Sequence, residues 1–349
     1  AIPFLLNGIS FLAILAALWW WRGETDAHQR LPAERVLPAM VTGLRYARRS
    51  PALIGVLLRS AAFFLFASAY WAMLPLVVRL QLKGDATLYG TLTACVGIGA
   101  VLGALLLPRL RRRLSGHHIV MLGSVGTALV LLVLATSRSA SLALLAGLLA
   151  GASWIATLSS LVIAAQGALP DWVRARGLSL YLTVFSGAMA LGSISWGLVA
   201  SHVGVTGTLL TAASGILLLL PFTTRVRLDG GDRSLTPSRH WPEPDPVDPA
   251  QQQTGPVMIH VRYRVMSGQE APFKVLLRQL GETRHRDGGL EWHLFRDQEG
   301  DGFIETFVLP TWLDHLRQHE RVTDEEQQLQ AQIRALCHEV RVEHYHAAG

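Results

Sequence analysis

Residues 88–113 read LYGTLTACVGIGAVLGALLLPRLRRR. The first part, Leu88–Leu107, carries no charge, and Arg109, Arg111, Arg112 and Arg113 follow at once. An apolar helix needs about 20 residues to cross the hydrocarbon core of a bilayer. Cations gathered directly after such a helix mark the loop that stays on the cytosolic side. This one stretch therefore predicts a membrane-spanning helix that ends in the cytoplasm.

Six further stretches have comparable length and hydropathy: Ile2–Trp21, Leu53–Val78, Ile119–Thr136, Ala140–Leu169, Leu178–Ala200 and Val205–Phe222. The Trp19-Trp20-Trp21 cluster followed by Arg22 has the form of an interfacial aromatic belt. No basic region or small-residue cleavage site accompanies Ile2–Trp21, which argues against a signal peptide. Composition agrees: 50% of the 349 residues are hydrophobic and 16% are charged, against about 25% charged in soluble domains.

The loops predict orientation. One side holds Arg22, Arg30, Arg35, Arg45, Arg48, Arg49, Arg109, Arg111, Arg112, Arg113, Arg174, Arg176, Arg225 and Arg227; the other holds Arg79, Lys83 and Arg138. The net charge of +6 is therefore a topology signal, and no nucleic-acid partner is expected. Both the first and the last span end in the cytoplasm, and so does the C-terminal tail. Arg35–Arg49 has Val36, Met40, Val41 and Leu44 at helical spacing, which fits a helix on the membrane surface or a solvated linker helix.

A lone span, a long basic linker and a block of six spans resemble the second half of a major facilitator superfamily transporter. Pro108-Arg109-Leu110-Arg111-Arg112-Arg113 is similar to that superfamily's Asp-Arg-x-Gly-Arg-Arg loop, with Pro108 in place of Asp and Arg111 in place of Gly. Pro170-Asp171-Trp172-Val173-Arg174-Ala175-Arg176-Gly177 resembles its matching loop. With Phe4-Leu5-Leu6-Asn7 and Leu44–Pro51, these loops resemble the subgroup of enterobactin-type siderophore exporters and transmembrane secretion effectors. The resemblance implies that Ile2–Trp21 is the sixth span of a longer transporter whose first five are absent here. It also implies a transporter, not an enzyme, in the cell (inner) membrane, exporting a small amphipathic molecule such as a siderophore, drug or metabolite.

Within the spans, Tyr70, Trp71, Trp154, Ser159, Ser160, Gln166, Tyr181 and Trp196 are the candidates for a substrate cavity. Arg109, Arg112, Arg113, Asp171, Arg174 and Arg176 are candidates for cytosolic gating loops, where their other role is topology alone. Arg59 is the one clear intramembrane cation and is expected to snorkel. Gly99/Gly103 and Gly147/Gly151 are G-x-x-x-G pairs for close helix packing, and Gly97, Gly187, Gly192 and Gly197 add small-residue positions.

The tail differs in kind. Asp229–Pro256 is polar and Pro-rich, a flexible linker. Val257, Ile259, Val261, Tyr263 and Val265 alternate as in a half-buried strand. Helical spacing follows at Phe273–Leu280, then strands over Leu290–Arg296 and Phe303–Leu309 around Glu299-Gly300-Asp301-Gly302. Helix follows over Thr311–His338, in one or two pieces, and a last strand over Glu339–His346. This βαββαβ order predicts a ferredoxin-like fold. It resembles the dimeric α/β-barrel domains of antibiotic-biosynthesis monooxygenases, which implies a homodimer through 256–349 and a cavity lined by Trp292, His260, His293 and Trp312. A membrane-tethered enzyme or dimerisation module acting through this domain is the alternative function. His315 and His319 have i, i+4 metal-pair spacing without an evident third ligand; Cys95 and Cys337 offer neither a disulfide framework nor a metal spacing, and no cofactor is expected.

The expected architecture is thus an all-α polytopic membrane protein of seven spans, the second half of a major facilitator fold, plus a small α+β domain of ferredoxin-like, dimeric α/β-barrel type. Its parts are 1–21 (a span of the missing first half), 22–51 (cytosolic linker), 52–227 (six-span bundle), 228–255 (flexible linker) and 256–349 (cytosolic domain). The lipid bilayer and a small solute are the expected partners.

Overall fold

The computed structural model describes residues 2–21, 31–32, 34, 36–226, 228, 235–238, 240–241, 253–297 and 302–347. Arg22, Arg30, Arg35, Arg227, most of the 228–255 linker and the Glu299-Gly300-Asp301 turn lie outside them. The chain forms two compact units, Ala1–Glu34 and Arg35–Gly349. The first contains α1 (Ile2–Trp20), an uncharged and strongly apolar helix.

In the second unit, α2 (Val36–Arg48) precedes α3 (Pro51–Leu76), α4 (Ala86–Arg111), α5 (Gly116–Thr136), α6 (Ala140–Gly167) and α7 (Asp171–Thr224). Among the described residues, five helices are long and apolar enough to cross a membrane: Pro51–Gln81, Ala86–Arg111, Gly116–Thr136, Ala140–Gly167 and Asp171–Thr224. The first begins with a Ser50 cap whose Oγ accepts from the Leu53 amide, and with Pro51 where no N–H is needed. Pro75 removes a backbone donor near its end, and the chain widens into a π-helical turn over Val77–Gln81.

The sequence expectation placed two spans, Leu178–Ala200 and Val205–Phe222; the 54-residue helical run Asp171–Thr224 is two helices joined at Gly204, where the backbone leaves helical geometry. A straight helix of that length would reach about 80 Å. Its neighbours show that it doubles back. Tyr181 meets Ser60, and Gly192 meets the Leu65 carbonyl and Ser68. Thr206 Oγ1 accepts from Gln81 Nε2 at 3.0 Å; then Gly215 lies on Phe66, and the Val226 carbonyl accepts from Arg59 at 3.2 Å. Both arms run along α3, and the reversal falls at Gly204, whose φ of 71° is in the region that favours glycine.

The helices approach closely where the sequence lacks side chains. A Cβ on Gly99 of α4 would stand 2.0 Å from the Leu148 carbonyl oxygen of α6; one on Gly151 of α6 would stand 1.9 Å from that of Val96. The two G-x-x-x-G motifs are therefore each other's partners. Gly97, Gly187 and Gly197 face open space, so packing does not account for them.

The tail is a four-stranded antiparallel sheet with helices on one face. Its elements are β1 (Val257–Val265), α8 (Glu270–Asp287), β2 (Leu290–Arg296), β3 (Gly302–Leu309), α9 (Trp312–Arg321), α10 (Asp324–Ala335) and β4 (Cys337–His346), with strand order β2-β3-β1-β4. The helical stretch expected over Thr311–His338 in one or two pieces is two helices, because Thr311 and Thr323 each cap a new start with their side-chain oxygens. Odd-numbered residues of β1 enter the core with Phe273, Leu277, Leu280, Phe307 and Trp312. Even-numbered ones face away from it.

Candidate functional site

In the membrane helices, the aromatic candidates converge. Trp71 of α3 and Trp154 of α6 meet edge to face at 5.9 Å, and Tyr70 and Trp71 at 5.3 Å. Trp154 continues to Phe64 at 5.3 Å, and Phe64 to Phe185 of α7 at 4.5 Å. Tyr70 is buried and its hydroxyl has no hydrogen-bond partner among the described residues. Phe63, Phe64 and Phe185 complete the cluster and were not singled out from sequence, where a Phe in an apolar span carries no distinguishing signal.

Other candidates lie elsewhere. Tyr181 is buried at Ser60, outside that run of ring contacts. Ser160 is buried, and its hydroxyl has no partner. Trp196 spends its N–H on the Leu65 carbonyl at 2.7 Å, a packing role. Ser159 accepts from Arg111 at 2.8 Å, and Gln166 is exposed near the end of α6. Arg59 is 2% exposed and reaches the helix ends, donating to His117 Nδ1 in the first turn of α5 at 2.8 Å and to the Val226 carbonyl just past α7.

The gating candidates divide. Arg109, Arg112 and Arg113 are exposed and make no ion pair among the described residues. Asp171 and Arg174 pair with each other at 2.6 Å at the start of α7. Arg176 lays its side chain across α2 at Gly43, where a Cβ would stand 3.0 Å from that of Arg176. On the same side Tyr46 of α2 donates to the Ala168 carbonyl at 3.1 Å and stacks edgewise on Trp172 at 5.7 Å. Burial pushes the Tyr46 phenol up to about 12, so it remains a donor.

The tail domain docks on this corner. Arg321 of α9 sits over the Trp172 ring at 4.4 Å and Arg286 of α8 over the Tyr46 ring at 5.2 Å. Arg49 pairs with Glu282 at 3.2 Å. Beneath the contact, Arg286 grips Asp287 at 3.0 and 3.3 Å and also binds Glu326. Burial, with Asp287 adding its charge, pushes the Glu326 carboxyl up to about 7 despite Arg286. The sequence motif 170–177 is thus in contact with two other parts of the chain.

The chain's first 347 residues match the family model described as transmembrane secretion effector. The chain belongs to this family of major facilitator transporters. No curated protein and no solved structure matches it. As a transmembrane secretion effector it is a multi-pass membrane transporter, in keeping with its five long apolar helices.

The tail of this secretion effector carries a cavity of about 720 Å³ between the inner sheet face and the helices. Of the four residues expected to line it, Trp312 does. His260 and His293 fall on the outer face by strand parity, opposite Thr306 across the sheet; His260 pairs there with Glu343 at 3.2 Å. Trp292 lies over Gly281 and donates to buried Glu305 at 2.9 Å. Tyr263 also donates to Glu305, at 2.7 Å, as does Arg284 at 3.4 Å, so this carboxylate is satisfied as a structural anchor. His315 and His319 meet through their Nε2 atoms at 3.2 Å, and no group of three or more metal-ligating residues occurs among the described residues.

Proposed function

We propose that this secretion effector exports a small amphipathic molecule, such as a siderophore, drug or metabolite, across the cell (inner) membrane. The observation that carries this reading is the aromatic cluster of Tyr70, Trp71, Trp154, Phe64 and Phe185, drawn from α3, α6 and α7. Rings from several helices at mid-span suit an apolar solute with a polar end. Ser159, Gln166 and Tyr181 flank this route as secondary contacts.

Counting α1 and the two arms of α7 supports seven spans. The basic loops support a cytoplasmic C-terminal domain. The exposed apolar side of α2, with Val36, Leu37, Met40 and Val41 all uncovered, supports a helix lying on the cytosolic membrane surface. The strand order β2-β3-β1-β4 supports the ferredoxin-like reading of the tail. The outer sheet face, where Met258, Phe295 and Tyr345 are exposed, supports a homodimer through 256–349. Asp171, Arg174 and Arg176 act as the cytosolic gate, held by α2 and the docked tail, while Arg109, Arg112 and Arg113 set topology and pair with the opposing half when that face closes.

The experiment is efflux of a fluorescent amphipathic cation from cells producing the protein, compared with Trp71→Ala and Trp154→Ala. Export that falls at least fivefold in both variants at unchanged membrane content supports the reading. Efflux equal to that of cells lacking the protein refutes it.

A further inference from the structure

The chain across the expected flexible linker, 229–256, is fastened on both sides. Leu228 packs against the bundle cluster of Val56, Phe64 and Tyr181. Eight residues on, 236–238 lie antiparallel against the turn between α9 and α10, with Pro237 opposite Thr323. The Ser238 amide donates to the Val322 carbonyl and the Asp324 amide to the Thr236 carbonyl, both at 3.0 Å, and the Thr236 hydroxyl donates to the Asp324 carboxylate. The Asp324 N–H is one of the donors that the start of α10 leaves open, so this segment completes a helix end. His240 and Trp241 then converge on Gln330 Oε1, at 3.1 and 2.7 Å. The Trp241 ring meets that of His319 edge to face at 4.6 Å and lies beneath the Arg284 guanidinium at 5.0 Å.

The fastened turn is also the part of the tail that carries the docking contacts. Arg321, just before Val322, lies over Trp172, and Glu326, two residues after Asp324, binds the Arg286 that lies over Tyr46. Fastening also shortens the tether. From Leu228 to Thr254, whose carbonyl accepts from the Trp312 amide at 3.2 Å where the tail begins, the chain runs 26 residues; from Leu228 to Thr236 it runs eight. The effective concentration of a tethered partner falls as about the −3/2 power of tether length, so fastening raises docking about sixfold.

We propose that 235–241 is a strap that holds the tail docked on the 170–177 corner, and that its release lets the tail leave Trp172 and Tyr46. The proposal stands on these contacts and is independent of the solute the transporter moves.

The test is hydrogen exchange at 169–177 of the whole chain in lipid nanodiscs, in two variants. The first carries roughly 16 added Gly/Ser residues between Asp232 and Arg233 and alters none of the contacts above. Lengthening a fastened tether in this way raises exchange about fivefold, whereas a linker free from Leu228 to Thr254 would give about twofold. The second variant, Ser238→Pro with Trp241→Ala, removes an amide donor and the indole, and is expected to raise exchange about sixfold. Exchange in β1 and β3 stays unchanged in it, which shows the tail still folded, and the insertion then adds only about twofold. A rise of about twofold or less from the insertion alone, or no rise in the second variant, overturns the strap. Should the second variant loosen β1, the insertion alone decides.

Discussion

The guanidinium of Arg321 lies 4.4 Å from the centre of the Trp172 ring. One residue belongs to the tail, the other to the first turn of α7, which opens the last helical hairpin of the membrane part. With Arg286 over Tyr46, this makes the tail a docked element. Such a contact is worth about 0.5–2 kcal/mol, depending on how dry it is. Arg321→Ala is therefore expected to raise hydrogen exchange at 169–177 roughly fivefold, about 1 kcal/mol, without changing exchange in the core of α4. Unchanged exchange at 169–177 would show that the contact contributes nothing to docking.

The crossing of α4 and α6 gives a contrast between neighbours. At Gly99 a single added carbon meets a carbonyl oxygen of the facing backbone, so the helices must separate. Gly99→Val is expected to cost about 3 kcal/mol or more and to lower the yield of folded protein in detergent. Gly97→Ala, which meets nothing within 4 Å, is expected to be neutral or slightly stabilising. Thermal unfolding of the two purified variants checks both.

Two buried groups of the tail titrate in opposite senses. Burial, together with His319, His344 and Arg284, pushes His315 down to about 2; its neutral form is the one the fold accepts. That contribution is complete above pH 6.5 and is lost as pH falls below it. Glu326 is pushed up to about 7, so its contribution is complete below about pH 4.5 and is lost as pH rises through 7. Between those values the slopes oppose, each at about 1.4 kcal/mol per pH unit at most. Glu326→Gln is expected to leave a tail that weakens with acid below pH 6.5, and His315→Gln one that strengthens from pH 7 to 4.5. Melting curves of the whole protein at pH 5, 6 and 7 distinguish them; parallel pH profiles would contradict the assignment.

Much of this architecture was legible in the chain because hydropathy and alternation are local signals. The limits of β1 and β2 agree with the apolar patterning to the residue, whereas α4 runs on through Arg109 to Arg111, past the expected end of its span at Leu107. The same alternation already separated His260 from Trp312, since His260 sits among the even, outward positions of β1; taking histidine and tryptophan as one set lost that parity. The return at Gly204 is invisible to hydropathy, which shows two apolar runs and not how tightly they join. The docking corner was hidden for another reason. Tyr46, Trp172, Arg286 and Arg321 lie in four separate segments, and no spacing along a chain announces contacts made by folding alone. The acceptors of Arg59, His117 and the Val226 carbonyl, likewise come from distant segments that no spacing along the chain brings together.

The central claim is that this secretion effector moves an amphipathic solute along the aromatic cluster of α3, α6 and α7. The most direct measurement is uptake of a fluorescent amphipathic cation into inside-out vesicles from cells producing the protein, with Trp154→Ala alongside. The account predicts accumulation above that of empty vesicles, which falls at least fivefold in the variant. Equal accumulation with wild type, variant and empty vesicles would contradict it.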